Sequence, residues 1–199
     1  MKTLLHILFR NRPWIPLMGI WIALVSVSSP AAEQAVLTGA VINMTAGTHG
    51  RAVETFTIFL DHLTPDAAYD TLVQSYRHKG EAGLQDAIWD LKPLGRIRIG
   101  NSLGYPLAVA RASVEGGRRV LRILTDRPIE FFEQTHALRT QNYPFSYLEI
   151  TLNDQGIGAG DFIPVAQVAF KQNGDMDVKN YTALPFKLTH VKQESEKGN

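Results

Sequence analysis

Residues 143–191 read YPFSYLEITLNDQGIGAGDFIPVAQVAFKQNGDMDVKNYTALPFKLTHV. Leu148, Ile150 and Leu152 alternate with Tyr147, Glu149 and Thr151. Beyond a polar turn, Phe162, Ala166, Val168 and Phe170 fall on one face of a second extended run. A second turn leads to Met176 through Tyr181, and then to Leu184, Phe186 and Leu188. Successive side chains on a strand point to opposite faces, so period-two alternation bounded by Gly, Asn and Asp marks an antiparallel meander. The stretch predicts three strands joined by two tight turns, closing or covering a core built by the residues before it.

Upstream, the same period recurs in shorter pieces. Ala35-Val36-Leu37 and Val41-Ile42 make a first strand, weakened by Gly39. Val53 to Leu60 places Phe56, Ile58 and Leu60 on one face and Thr55 and Thr57 on the other. The period then changes. Thr64-Pro65-Asp66 combines a hydroxyl N-cap, a proline at the first helical position and an acid facing the helix dipole. Ala68, Leu72 and Tyr76, with Tyr69 and Val73, form an apolar stripe that ends at Lys79-Gly80. Leu84, Ala87, Ile88 and Leu91 follow at i, i+3, i+4 and i+7, one buried face of a second helix that Pro93 ends. The short link at Gly80 predicts a helical hairpin over residues 65–91. Strands resume at Leu94 to Gly100, Leu107 to Val114 and Arg118 to Thr125, the last two joined by Gly116-Gly117. Asp126-Arg127-Pro128 breaks the run, and Ile129 to Leu138 reads as a short helix. The expected fold class is α+β. About eight antiparallel strands form a barrel or strongly curved sheet, with the helical hairpin inserted after the second strand.

The 199 residues are 45% apolar and 20% charged, which suits one globular domain. Lys2, Arg10 and Arg12 precede an apolar run from Trp14 to Val27, and Ser29-Pro30-Ala31 supplies small residues at its exit. That is the layout of a secretory signal peptide over residues 1–31, and the run is shorter than the ~20 residues a membrane-spanning helix needs. The expectation is a periplasmic or secreted chain, residues 32–199, with no stable membrane span once the signal is removed. Loss of those three cations leaves 17 basic against 19 acidic residues, a net charge of −2 that argues against a nucleic-acid partner. There is no cysteine, which excludes disulfides, thiolate catalysis and iron–sulfur clusters.

Chemistry-bearing residues are sparse. Arginine is dense from Arg96 to Arg127, and Arg122 shares a strand face with Val120 and Leu124. If that face is inward, its guanidinium needs an acid or an anionic ligand, with Asp126 and Glu149 as candidate partners. Glu130, Glu133 and His136 share a helix face, and Glu133-x-x-His136 has the spacing of carboxylate-bridged metal sites. Such sites need two of these motifs and this chain has one, so no metal or other cofactor is expected. Gly156-x-Gly158-x-Gly160 lacks both the tandem repetition of a calcium-binding repeat and the helix after a phosphate-binding loop; it reads as a flexible hairpin connection. No SxxK occurs and no nucleophile elbow is read, so no catalytic residue is assigned.

Gly104-Tyr105, Gly117-Arg118-Arg119, Thr125-Asp126-Arg127-Pro128-Ile129, Tyr143-Pro144-Phe145, the Gly156–Gly160 repeat, Asn180-Tyr181 and Pro185 to Leu188 stand in this order in the chain. Together they resemble a set of secreted bacterial proteins of unknown function, over about Glu54 to Val191. The resemblance implies an envelope or secreted protein and carries no activity. Thr125-Asp126-Arg127-Pro128 is its most distinctive string. Proline restricts the residue before it, so Arg127 should have a defined direction at a strand end. The expected function is an exported, non-catalytic binding module for a small amphipathic or anionic molecule, or for an envelope protein. Arg111, Arg122, Asp126 and Arg127 are its ligand-binding candidates. The alternative is a periplasmic hydrolase-like enzyme using Asp126, Glu130, Glu133 or His136.

Overall fold

A computed structural model describes residues 34–43, 53–129, 144–180 and 184–194. In chain order they form β1 (Ala35–Ile42), β2 (Val53–Leu60), α1 (Asp66–Trp89), β3 (Gly95–Ile99), β4 (Tyr105–Glu115), β5 (Arg118–Thr125), β6 (Phe145–Leu152), β7 (Ile157–Phe170), β8 (Met176–Asn180) and β9 (Phe186–Glu194). The signal-peptide reading, the Ile129–Leu138 helix beyond Ile129 itself, and Glu130, Glu133 and His136 lie outside the described residues.

All pairings are antiparallel, in the order β6-β5-β4-β3-β2-β1-β9-β7-β8, and β7 also pairs with β6. Eight strands therefore close into a barrel, and β8 is an extra strand held by the far half of β7. Among the described residues, one helical element stands beside these strands, so they are mostly β rather than evenly α+β.

The inward positions carry Leu37, Val41, Ile58, Ile97, Leu121, Ile123, Leu148, Ile150, Phe162 and Val191, all fully buried. Eight strands leave an interior just wide enough for side chains to fill, and large aliphatics fill it here. Closure depends on glycine. A Cβ on Gly158 would stand 1.8 Å from the Thr151 carbonyl oxygen, and one on Gly160 would stand 2.0 Å from that of Glu149. The glycine repeat is thus not a flexible connection. Its last two members lie in β7, where they let the chain approach β6 closely as it also pairs with β9.

A second apolar layer lies on the outside of β4–β7. Ala108, Val109, Leu124, Phe145, Tyr147, Ile163, Ala166 and Val168 pack with Leu72, Leu84 and Ile88 of α1. Phe162 and Ala166 do not share a face as the alternation predicts. Phe145 pairs with Ala166 but Tyr147 with Ile163, so β7 carries one extra residue there and its side-chain phase inverts. Pro164 sits in this bulge, and its carbonyl accepts from Ser146 Oγ at 2.6 Å and from Ile129 N at 3.3 Å.

Within α1, Gly80 leaves helical geometry (φ 64°, ψ −148°) and the helix resumes after it. The two helices expected from the apolar spacing are one element broken at that residue. Thr64 does not cap it: Pro65 occupies the cap position, and Thr64 Oγ1 accepts from Ala110 N at 2.9 Å. That bond, with Thr64 N donating to Ala110 O at 2.8 Å, fixes the start of α1 to β4.

Candidate functional site

Alternation along the strands places Arg111, Ser113 and Glu115 of β4, Arg122 of β5, Tyr147 and Glu149 of β6, and Asp161 and Ile163 of β7 on one outer surface. Tyr69, Val73 and Arg77 of α1 and the β7–β8 turn, with Met176 and Val178 of β8, border it. The groove so formed has a volume of ≈ 920 Å³. Phe170 meets both Tyr69 and Tyr76 edge-on, with centroids 5.6 Å apart in each case, and Tyr69 OH donates to Gly174 O at 3.1 Å. These contacts tie the end of the β7–β8 hairpin to the helix.

Arg122 faces outward into this groove, not into the barrel. Its Nε donates to Glu149 Oε2 at 2.9 Å. Its Nη1 donates to Ser113 Oγ at 3.0 Å and to Glu115 Oε1 at 2.7 Å, and its Nη2 to Glu115 Oε2 at 3.1 Å. The two-point grip on Glu115 uses the planar fork that distinguishes arginine from lysine. Hydrogen bonds from Arg122, then from Ser113, hold the Glu115 carboxyl at about 2, well below its usual 4.5. Tyr147 OH donates to Glu149 Oε2 at 2.7 Å. Burial, then that bond to a carboxylate, pushes the Tyr147 pKa up. Burial also raises Tyr69, against the opposing pull of Arg111.

Arg111 is held differently. Nη1 donates to Asp66 Oδ1 at 2.6 Å and to Thr64 O at 3.2 Å, and the guanidinium lies 4.6 Å from the Tyr69 ring centroid. Its Nε and Nη2 make no hydrogen bond among the described residues, so the edge suited to a carboxylate or phosphate stays open.

Of the four residues expected to bind ligand, Arg111 and Arg122 come together, directly opposite each other in the β4–β5 register. Asp126 and Arg127 lie past the end of β5 and do not line the groove. Arg127 is more than half exposed, 4.0 Å from Asp126 Oδ1 and 5.8 Å from the Tyr105 ring centroid. Asp126 Oδ1 is buried without a hydrogen bond, and burial raises its pKa despite Arg127. The string is fixed by its main chain. Thr125 Oγ1 donates to Arg127 O at 2.5 Å and accepts from Ser146 N at 2.9 Å, while Trp89 Nε1 donates to Asp126 O at 3.1 Å.

Glu149 is the partner the sequence proposes for Arg122, whereas Asp126 is not a partner. Glu115, Tyr147 and Tyr69 are groove residues the sequence reading passes over. A signal for Glu115 and Arg111 exists: treating Gly116-Gly117 as a two-residue turn sets Glu115 opposite Arg118 and therefore Arg111 opposite Arg122. Among the described residues, no three His, Asp or Glu side chains are grouped as a metal site requires. None of the described helical segments is long and apolar enough to cross a membrane. No protein-family model, no curated protein and no solved structure matches the chain.

Proposed function

We propose that the chain is an exported, non-catalytic binding module whose ligand lies in the outer groove and not inside the barrel. The observation that carries this is the open edge of Arg111 on the wall of a ≈ 920 Å³ groove, beside a barrel interior filled by its own side chains. The ligand is a small amphipathic molecule bearing a carboxylate or phosphate. Val73, Ile163 and Val178 supply apolar contact, Tyr69 an aromatic face, and Arg111 the anchor. Arg122 orders the floor, because its donors are already committed to Glu115, Glu149 and Ser113. The direction of the ionisation shifts favours binding over acid–base catalysis. Glu115 and Tyr147 are each held more firmly in the ordinary charge state, and a general acid or base needs a pKa near the working pH. We read α1 as a hairpin hinged at Gly80, its first arm walling the groove and its second clamped to the sheet by Leu84 and Ile88. Export follows from the basic start, apolar run and small-residue exit before Glu33, and accords with a bacterial envelope or secreted protein.

Native mass spectrometry of protein purified from its own envelope fraction tests this reading. The chain should begin at about Ala32 or Glu33 and carry a retained mass. Arg111→Gln should lose that mass while its melting temperature stays close to the parent's. Full-length chain in the cytosol would overturn the export reading. Retention unaffected by Arg111→Gln would overturn the site.

A further inference from the structure

Resting on the groove as the binding site, we infer that its occupant is a zwitterion: a peptide of about three to four residues with free amino and carboxyl ends. The argument starts from a transverse row of charge. Arg111 stands opposite Arg122, Arg122 opposite Glu149, Glu149 opposite Asp161, and Asp161 opposite Lys187. Like charges directly opposite on a sheet are destabilising, and a purely structural network avoids them by alternating sign. Across the groove floor the order is instead two cations followed by two anions, and Lys187, outside the groove lining, pairs with the last of them. That is a dipole laid across the strands.

Both ends of the dipole keep free capacity. At the cationic end, Arg111 holds Nε and Nη2 open. At the anionic end, Glu149 receives Arg122 and Tyr147 on Oε2 alone, and Asp161 receives Lys187 on Oδ1 at 2.5 Å. Oε1 of Glu149 and Oδ2 of Asp161 accept no hydrogen bond among the described residues. Arg111 lies two strand intervals from Glu149 and three from Asp161. At about 4.8 Å per interval this is ~10–14 Å, the extended length of about three to four residues. A peptide carboxylate on Arg111 then places its ammonium between Glu149 and Asp161, with small side chains against Val73, Ile163 and Val178. A simple anion would leave Oε1 of Glu149 and Oδ2 of Asp161 without a donor.

Calorimetric titration with tetraalanine decides the matter. The free-ended peptide should bind. N-acetylation or C-amidation should each weaken binding by about tenfold or more, the loss of one charge-assisted contact. Arg111→Gln should erase the difference between free and amidated peptide, and Asp161→Asn the difference between free and acetylated peptide. Equal binding of free and doubly blocked tetraalanine would overturn the inference without reference to any variant. Failure of tetraalanine together with Arg111-dependent binding of decanoate would overturn the zwitterion and leave the groove reading standing. Failure of both ligands would remove both.

Discussion

Asp126 places a carboxylate where burial outweighs the attraction of its surroundings. Oδ1 is buried without a hydrogen bond, Arg127 Nε stands 4.0 Å away, and burial raises the pKa above the usual 3.8. A raised folded-state value means that the folded chain holds this proton more tightly than the unfolded chain does. The stability it contributes is full below 3.8 and is lost as pH rises through the raised folded value. Asp126→Asn keeps the shape and removes the ionisation. The variant should melt above the parent at neutral pH, and the gap should close as pH falls toward 3.8. Thermal melts of both proteins across that range measure it, and a lower melting point for the variant at neutral pH would show that the carboxylate has a partner worth keeping. The same string shows what a single sequence can say about a side chain. Pro128 does restrict Arg127, but restriction defines a direction without naming what lies along it. Here that direction leads to the Tyr105 ring and solvent. Arg122 is more legible because strand period and register act together: its face follows from Val120 and Leu124, and Glu149 lies directly opposite.

The closing strand is the element on which the barrel depends. β7 pairs with β6 on one edge and with β9 and then β8 on the other. Gly160→Ala would put a methyl group 2.0 Å from the Glu149 carbonyl, a contact that only backbone movement relieves. The expected cost is about 2–3 kcal/mol, the upper part of the overpacking range. Ala159→Ser, one residue earlier and exposed, should stay within about 0.5 kcal/mol of the parent. Urea midpoints of the two variants give the comparison, and equal midpoints would mean that β7 does not approach β6 as closely as described. The strands themselves are legible in the sequence because alternation against one buried face is a strong local signal. What local signal cannot carry is long-range pairing. Gly158 and Gly160 look like turn residues because glycine serves both flexible turns and close backbone approach, and only the neighbouring strand separates the two uses. The phase inversion at Pro164 is hidden for a related reason. A bulge adds one residue without any change in composition, so Phe162 goes inward while Ala166 and Val168 go outward.

At the scale of the whole molecule, the outer apolar layer is the reverse face of four of the strands that build the barrel core. Leu107 and Ala110 of β4 point inward while Ala108 and Val109 point outward. On β5, Leu121 and Ile123 oppose Leu124; on β6, Leu148 and Ile150 oppose Phe145 and Tyr147. The sequence indicates a barrel with a helical insertion, but an inserted helix could have plugged the barrel, capped it or lain along it. Its position follows from the Thr64–Ala110 bonds and from the packing of Leu72, Leu84 and Ile88 on the outer face of β4–β7, contacts that no periodicity encodes. Sharing strands couples the layers energetically. If α1 peeled away, Leu124, Phe145 and Ile163 would be exposed on strands whose other side is the barrel core. The chain should therefore unfold in one step, with helix and barrel lost together. Trp89 makes this measurable, since Trp14 and Trp21 precede Ala32 and a chain beginning there has Trp89 as its single tryptophan. The indole bonds to Asp126 O and so reports the junction between α1 and the end of β5. Ile88, 1% exposed and adjacent to it, is the natural site for perturbation. Ile88→Ala should lower stability by about 2–5 kcal/mol, as large-to-small core changes do. Trp89 fluorescence and far-ultraviolet circular dichroism should shift together to one lower urea midpoint. If fluorescence moves early while the sheet signal keeps the parent's midpoint, α1 opens on its own, and the outer layer is a separate cooperative unit docked on an independently stable barrel.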